Sequence, residues 1–257
     1  EVEKGSANAL AEKWTQIAIE NIRNGSLKEC NKNIKQMIDE FDSLPILDIK
    51  KPKVGVVGEI LVKYHPMANN YIVDIIESEG GEAVVLDLFD FILYGMYSKK
   101  YNYEMLSGSF SAMVRNMLGV LVIEWFRSGA RKALNNSKRF HGPALISEVA
   151  KKAEKVASLG HQCGEGWLLT GEMVELIDSG VKNIVCLQPF ACLPNHVTGK
   201  GMIKPIRDYN PMANIAAIDY DPGASNVNQL NRIKLMMATA HKNLEEEHPP
   251  PKENTKS

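Results

Sequence analysis

An excess of charge of either sign is what this chain most clearly lacks. Thirty lysines and arginines stand against 31 aspartates and glutamates, a net charge of −1. That balance gives no electrostatic case for nucleic acid or an anionic membrane surface. No apolar run approaches the roughly 20 residues of a membrane-spanning helix, and no signal peptide is read at the start. Cysteine is scarce, with four in 257 residues. So few thiols exclude a disulfide scaffold and point to a reducing compartment, with the cytoplasm as the expected location. Two phosphate-binding signatures are missing as well. The turn after the first strand reads G-E-I-L-V-K-Y-H-P instead of G-x-G-x-x-G, and no G-x-x-x-x-G-K-[ST] occurs. Neither a dinucleotide fingerprint nor an ATPase loop is present. The first residue is Glu1 and not methionine, as expected of a segment excised from a longer polypeptide.

What is there reads as a sheet wrapped by helices. Leu10, Trp14, Ile17 and Ala18 recur at helical spacing, with Gly25 as a stop. Leu27, Cys30, Ile34, Met37, Ile38 and Phe41 mark a second amphipathic helix, on which Cys30 is a small core residue. Residues 43–53 read as a linker. Val54–Val57 is a compact strand, a helix follows over roughly Asn69–Glu79, and Ala83–Leu86 is a second strand; together these form a βαβ unit. Residues 103–134 form a long helical excursion, rich in methionine, that fits a lid or a partner surface. Pro143 starts a further helix ending near Gly160. Another helix follows, on which small Gly171 permits close approach. Val181–Cys186 is a strand bounded by Gly180. Asn195–Lys204 is read as helical, with Pro205 kinking or ending it. Ile215–Ile218 is a last strand, and Ser225 caps a final helix. The residues from Glu245 on are disordered by composition.

Four strand ends therefore converge on one edge and bring Glu59, Asp87, the Cys186–Cys192 loop and Asp219–Asp221 together. Open α/β sheets bind ligands at such ends, against helix N-termini. The stretch V-K-N-I-V-C-L-Q-P-F-A-C-L-P-N (181–195) places Cys186 and Cys192 at the end of an apolar strand and just past it. Asn195 is a possible N-cap there. Two soft ligands at this place suggest a metal or cluster. Yet C-x5-C is looser than zinc spacing, and iron–sulfur clusters usually take four thiolates. Two buried structural thiols remain the competing reading. Cys163 precedes a helix N-terminus, a position that lowers a thiol pKa. His161 and Glu165 beside it fit either supporting groups or a solvated turn. A nucleophilic pair of Cys163 with His161 or His196 lacks an orienting third residue.

Four words of the sequence, in order, carry a family resemblance. They are V-G-V-V-G-E-I-L-V-K (54–63), G-E-G-W-L-L-T-G-E-M (164–173), L-Q-P-F-A-C-L-P-N-H-V-T-G-K-G-M (187–202) and I-D-Y-D-P-G-A-S-N-V-N-Q-L-N-R (218–232). Over roughly 52–240 the chain resembles the 2-hydroxyacyl-CoA dehydratase superfamily. Within it, the chain is most similar to the carboxyl-terminal, dehydratase-subunit-like part of 2-hydroxyglutaryl-CoA dehydratase activators. The resemblance implies anaerobic iron–sulfur chemistry of the 4Fe-4S kind. In such a system an ATP-hydrolysing activase delivers a low-potential electron and a dehydration follows. Cys192 falls where the family's P-F-G-C word has its cysteine, with Ala191 in place of the glycine. Cys186 is the other candidate metal ligand, and nothing carries over to Cys163. Asn195, His196 and Glu59 are the candidate cofactor-binding residues around the cluster.

The expected fold is a three-layer α/β domain with a mainly parallel, about four-stranded Rossmann-like sheet. It has an N-terminal helical pair (1–50), an α/β domain (51–242) carrying the 103–134 insertion, and a tail (243–257). The expected function is an iron–sulfur redox domain of a dehydratase-activator-like protein. Its partners would be an ATP-hydrolysing activase and the remaining part of the same polypeptide, and the cluster would be absent from this chain alone. The alternatives are a module that binds an acyl-CoA or another anion, and a structural interaction domain with inert thiols.

Overall fold

The computed structural model describes residues 1–24, 26–221, 223 and 225–247. It divides into two compact units, Glu1–Lys50 with Arg115–Ala144, and Lys51–Val114 with the chain from Leu145 on. The helical excursion is thus shared: its second half groups with the amino-terminal helices and not with the sheet.

The sheet unit is built on four strands: β1 (Lys53–Gly58), β2 (Glu82–Val85), β3 (Asn183–Pro189) and β4 (Asn214–Tyr220). They lie in the order β2-β1-β3-β4, and every pairing is parallel. Val56 stands in register with Val85 on one side and Val185 on the other, and Val185 with Ala216. The chain leaves β1 toward β2 and returns on the opposite side as β3. The sheet therefore has its topological switch between β1 and β3, where such folds open a crevice.

Alternation along the strands sends side chains to two helical layers. On one face Val54, Val56, Val185, Leu187 and Ile218 pack against α4 (Ile72–Ser78) and α11 (Asn226–Glu247), through Ile72, Ile76, Ile233 and Met237. On the other, Val57, Ile184, Cys186 and Ile215 pack against α8 (Gly166–Asp178) and α10 (Ile203–Tyr209), through Leu169, Met173, Ile177 and Ile206. The result is a mixed α/β, three-layer, Rossmann-like fold, as the pattern of short apolar strands implies. α8 is buried along nearly its whole length, because α7 (Ile146–Ala153) covers its far side. Gly171 makes that possible: a Cβ there would meet Val149 Cγ1 at 2.9 Å and Ala153 Cβ at 3.2 Å.

Several boundaries differ from the sequence expectation, each for a local reason. The helix expected over Asn69–Glu79 starts only at Ile72, and a short α3 (Ile60–Tyr64) precedes it. Asn69 caps it by accepting from the Ile72 N–H (3.1 Å) while donating to the Val62 carbonyl (2.7 Å). The 103–134 excursion holds only the end of α5 (Phe89–Met105), which begins well before it, and nearly all of α6 (Phe110–Asn135). The helix expected from Pro143 begins at Ile146. The Asn195–Lys204 helix is instead α9 (Leu193–Thr198), a 3₁₀ turn (Lys200–Met202) and α10. Pro205 falls in the first turn of α10, where its missing N–H leaves no bond unmade. The break comes earlier, at Gly199. α11 continues to Glu247, beyond the expected start of a tail at 243. The expected stop at Gly25, the Pro222 turn and the tail from 248 lie outside the described residues.

The helical unit contains α1 (Ser6–Asn24), α2 (Leu27–Ser43) and α6 from Arg115 on. Polar ties organise it. Arg139 donates to the carbonyls of Phe41 and Leu44 (both 2.8 Å), Ser137 to Asp42 (2.8 Å), and Trp14 Nε1 to Glu40 (2.9 Å). Among the described residues of the chain, no helix is long and apolar enough to cross a membrane.

Candidate functional site

The switch between β1 and β3 is closed by a glycine that no other residue can replace. Gly58 has φ +141°, and a Cβ on it would lie 1.9 Å from the Leu187 carbonyl oxygen. That contact lets the Glu59 N–H donate to the same oxygen at 2.9 Å, so β1 turns directly into α3 over the end of β3. Glu59 caps this five-residue helix, its Oε2 accepting from the Val62 N–H at 2.9 Å.

Glu165, which the sequence leaves between a supporting role and a solvated turn, is the hub of the edge. It is buried; its Oε1 accepts from the Ile60 N–H (3.0 Å) and its Oε2 from Asn195 Nδ2 (2.9 Å). One carboxylate thereby ties the starts of α3, α8 and α9. Asn195 is fully buried and is not the N-cap; Cys192 holds that position, and Asn195 lies within α9. The Asn195 amide also donates to Cys192 Sγ at 3.1 Å. His196 turns its Nδ1 to the Cys192 carbonyl oxygen at 3.0 Å and so packs along its own helix.

The two cysteines that the sequence pairs stand in different settings, Cys192 half-buried at the start of α9 and Cys186 inside the sheet. Cys186 stands in mid-strand, 0% exposed, beneath the break at Gly199, whose added Cβ would lie 3.0 Å from the sulfur. Burial, with the nearby charges of Glu172, Glu165 and Asp219, pushes its thiol up to about 12. In this setting Cys186 packs as a small core residue among Val57, Leu169 and Ile206. Cys163 takes its place at the edge. It is exposed, and Gly164 next to it lies against α9, where an added Cβ would be 3.0 Å from Pro194 Cβ. Cys30 lies in the other unit, half-buried, lining an apolar groove of about 460 Å³ between α1 and α2 with Trp14, Ile34 and Met37.

Two further groups escape the sequence reading. Lys63 and Glu172 form an ion pair at 2.8 and 2.9 Å, with side chains only 2% and 6% exposed. Burial works against the Lys63 charge, but the adjacent Glu172 carboxylate outweighs it and leaves the amine above the ordinary lysine value. The available signal was a lone glutamate inside the apolar run G-W-L-L-T-G-E-M-V. Tyr94 lies under the Cys163 loop with its hydroxyl buried and accepting or donating no hydrogen bond among the described residues. Burial, then the charges of Cys163 and Glu165, raise it to about 12. Farther along the edge Gln188 donates to Asp219 at 2.6 Å, and Asp219 faces Lys200 at 3.7 Å.

The turn before Cys192 is strained. Ala191 has φ +59°, in the left-handed region that disfavours a side chain.

The fold and edge define a Rossmann-like α/β protein with a thiol-bearing, acid-lined edge at its topological switch. The chain matches no family model, no curated protein and no solved structure. Among the described residues, no three of His, Cys, Asp and Glu gather as a metal site. The four thiolates that an iron–sulfur cluster usually takes are therefore not gathered at one place among the described residues.

Proposed function

We propose that this chain is the thiol-presenting domain of a 2-hydroxyacyl-CoA dehydratase activator-like system. It contributes Cys192, with Cys163 on the adjoining loop, to an iron–sulfur redox centre completed by another polypeptide, and ATP is hydrolysed elsewhere. The observation that carries this reading is the Glu165–Asn195–Cys192 chain of hydrogen bonds, which aims a buried amide donor at one sulfur. Hydrogen bonds to sulfur and nearby charge are the levers by which a protein tunes such a centre. Glu165 and Asp219 near this edge add negative charge, which favours the oxidised, less negative form and so a low potential. The same carboxylates disfavour the phosphates of an acyl-CoA.

The test is iron bound per chain after anaerobic reconstitution with iron and sulfide. Weak, air-labile iron is expected, lost several-fold in Cys192→Ser and kept in Cys186→Ala and Cys30→Ser. Iron that ignores Cys192 overturns the reading. So does thermal stabilisation by a CoA ester in a chain that binds no iron.

A further inference from the structure

The apolar face of α6 is accounted for neither by the sheet nor by the thiol edge. Leu118, Leu121, Val122, Trp125 and Phe126 are all exposed, Leu121 by 65% and Trp125 by 70%. Their spacing of three and four residues draws one stripe along the helix, the seam that packs against another helix. The charges within this turn of sequence are drawn away from it. Glu124 pairs with Arg131 and lies 3.6 Å from Arg127, and these three side chains are only 11–16% exposed. Five large side chains with about 100 Å² each in water present roughly 500 Å². That stands toward the upper end of the largest single patch on a typical monomer, about 300–600 Å², and is more than half of the about 800 Å² per partner in a standard interface.

We propose that this stripe is a two-fold interface in which α6 of one copy packs antiparallel on α6 of a second. The stripe is its own complement. A two-fold axis between Leu121 and Val122 sets Leu118 opposite Trp125 and Leu121 opposite Val122. Arg115 then falls opposite Ser128, so no like charges meet. Isologous contacts require this self-matching of one surface. The inference is independent of the thiol chemistry.

The mass of the chain in solution over a dilution series tests it. A dimer is expected at high concentration, and Leu121→Glu with Trp125→Glu should return it to a monomer that still unfolds cooperatively, since both residues are exposed in the single chain. Leu118→Cys combined with Trp125→Cys should cross-link two copies on oxidation. The two positions lie two helical turns apart on one chain, too far for an internal disulfide. A wild-type monomer at the highest concentration, a dimer indifferent to the charged pair, or cross-linking by Leu118→Cys alone at equal yield would each overturn it.

Discussion

The two units bury very different amounts of themselves. Every strand of the sheet unit carries apolar side chains into a packed layer, and α8 is inside on all sides. In the helical unit, among the described residues, Trp14, Ile38 and Val120 are the buried apolar side chains. Ordering a residue's backbone costs about 1–2 kcal/mol, and burial is what offsets it. The sheet unit meets that cost within itself. The helical unit relies on polar ties and leaves Ile22, Leu27, Leu121 and Trp125 in water. Strain follows the same division. Among the described residues, the non-glycine residues with positive φ are Asn70, Tyr71 and Ala191, all in the sheet unit, where neighbours can hold them in place.

The sharpest way to break this comparison is to remove one charge from the inside of the sheet unit. Lys63→Met leaves Glu172 buried and unpaired, and should cost roughly 3–5 kcal/mol in denaturant unfolding. Adding Glu172→Leu should return most of that loss. A single substitution that costs under about 1 kcal/mol would mean that water reaches the pair and the interior is less closed than described.

Next in size is the same chemistry carried out in both units. Leu169→Ala, at a fully buried site, should cost about 2–5 kcal/mol through lost burial and a cavity. Leu121→Ala on the exposed stripe should stay within about 0.5 kcal/mol for the monomer. Equal costs would show that the helical unit has an interior of its own.

This contrast also explains what could be read in the sequence. The parallel strands were legible because strands covered on both faces are continuous apolar runs, and Val54–Val57, Ile184–Leu187 and Ile215–Ile218 are such runs. Gly171 was legible as a close-approach position from helix spacing. The site was less so. Cys186 reads as the end of a run, but the register continues to Pro189 against Tyr220, which keeps Cys186 in mid-strand and inside. Glu165 and Asn195 lie 30 residues apart, and only the parallel crossover brings them to one hydrogen bond. No local pattern carries that distance. Cys163 has no structural neighbours in sequence to signal that Gly164 folds onto Pro194.

The smallest effect sharpens the comparison at the edge itself. Ala191 holds φ +59° immediately before Cys192. A left-handed conformation costs a non-glycine residue about 1–2 kcal/mol, while glycine loses roughly 0.5–1 kcal/mol more entropy on folding. The two terms oppose each other, so Ala191→Gly should stabilise the chain by about 0.5 kcal/mol in denaturant unfolding. The alanine therefore makes the turn both strained and stiff. Relaxing it frees the turn that sets Cys192 at the start of α9, against a tie from Asn195 that stays unchanged. Alkylation of Cys192 should then speed up modestly while Cys186, buried in the strand, stays unreactive. A destabilised variant would mean that Ala191 is not left-handed in solution. An unchanged alkylation rate in a stabilised variant would mean that the Glu165–Asn195 tie alone positions the sulfur, and that the strain at Ala191 has no part in presenting it.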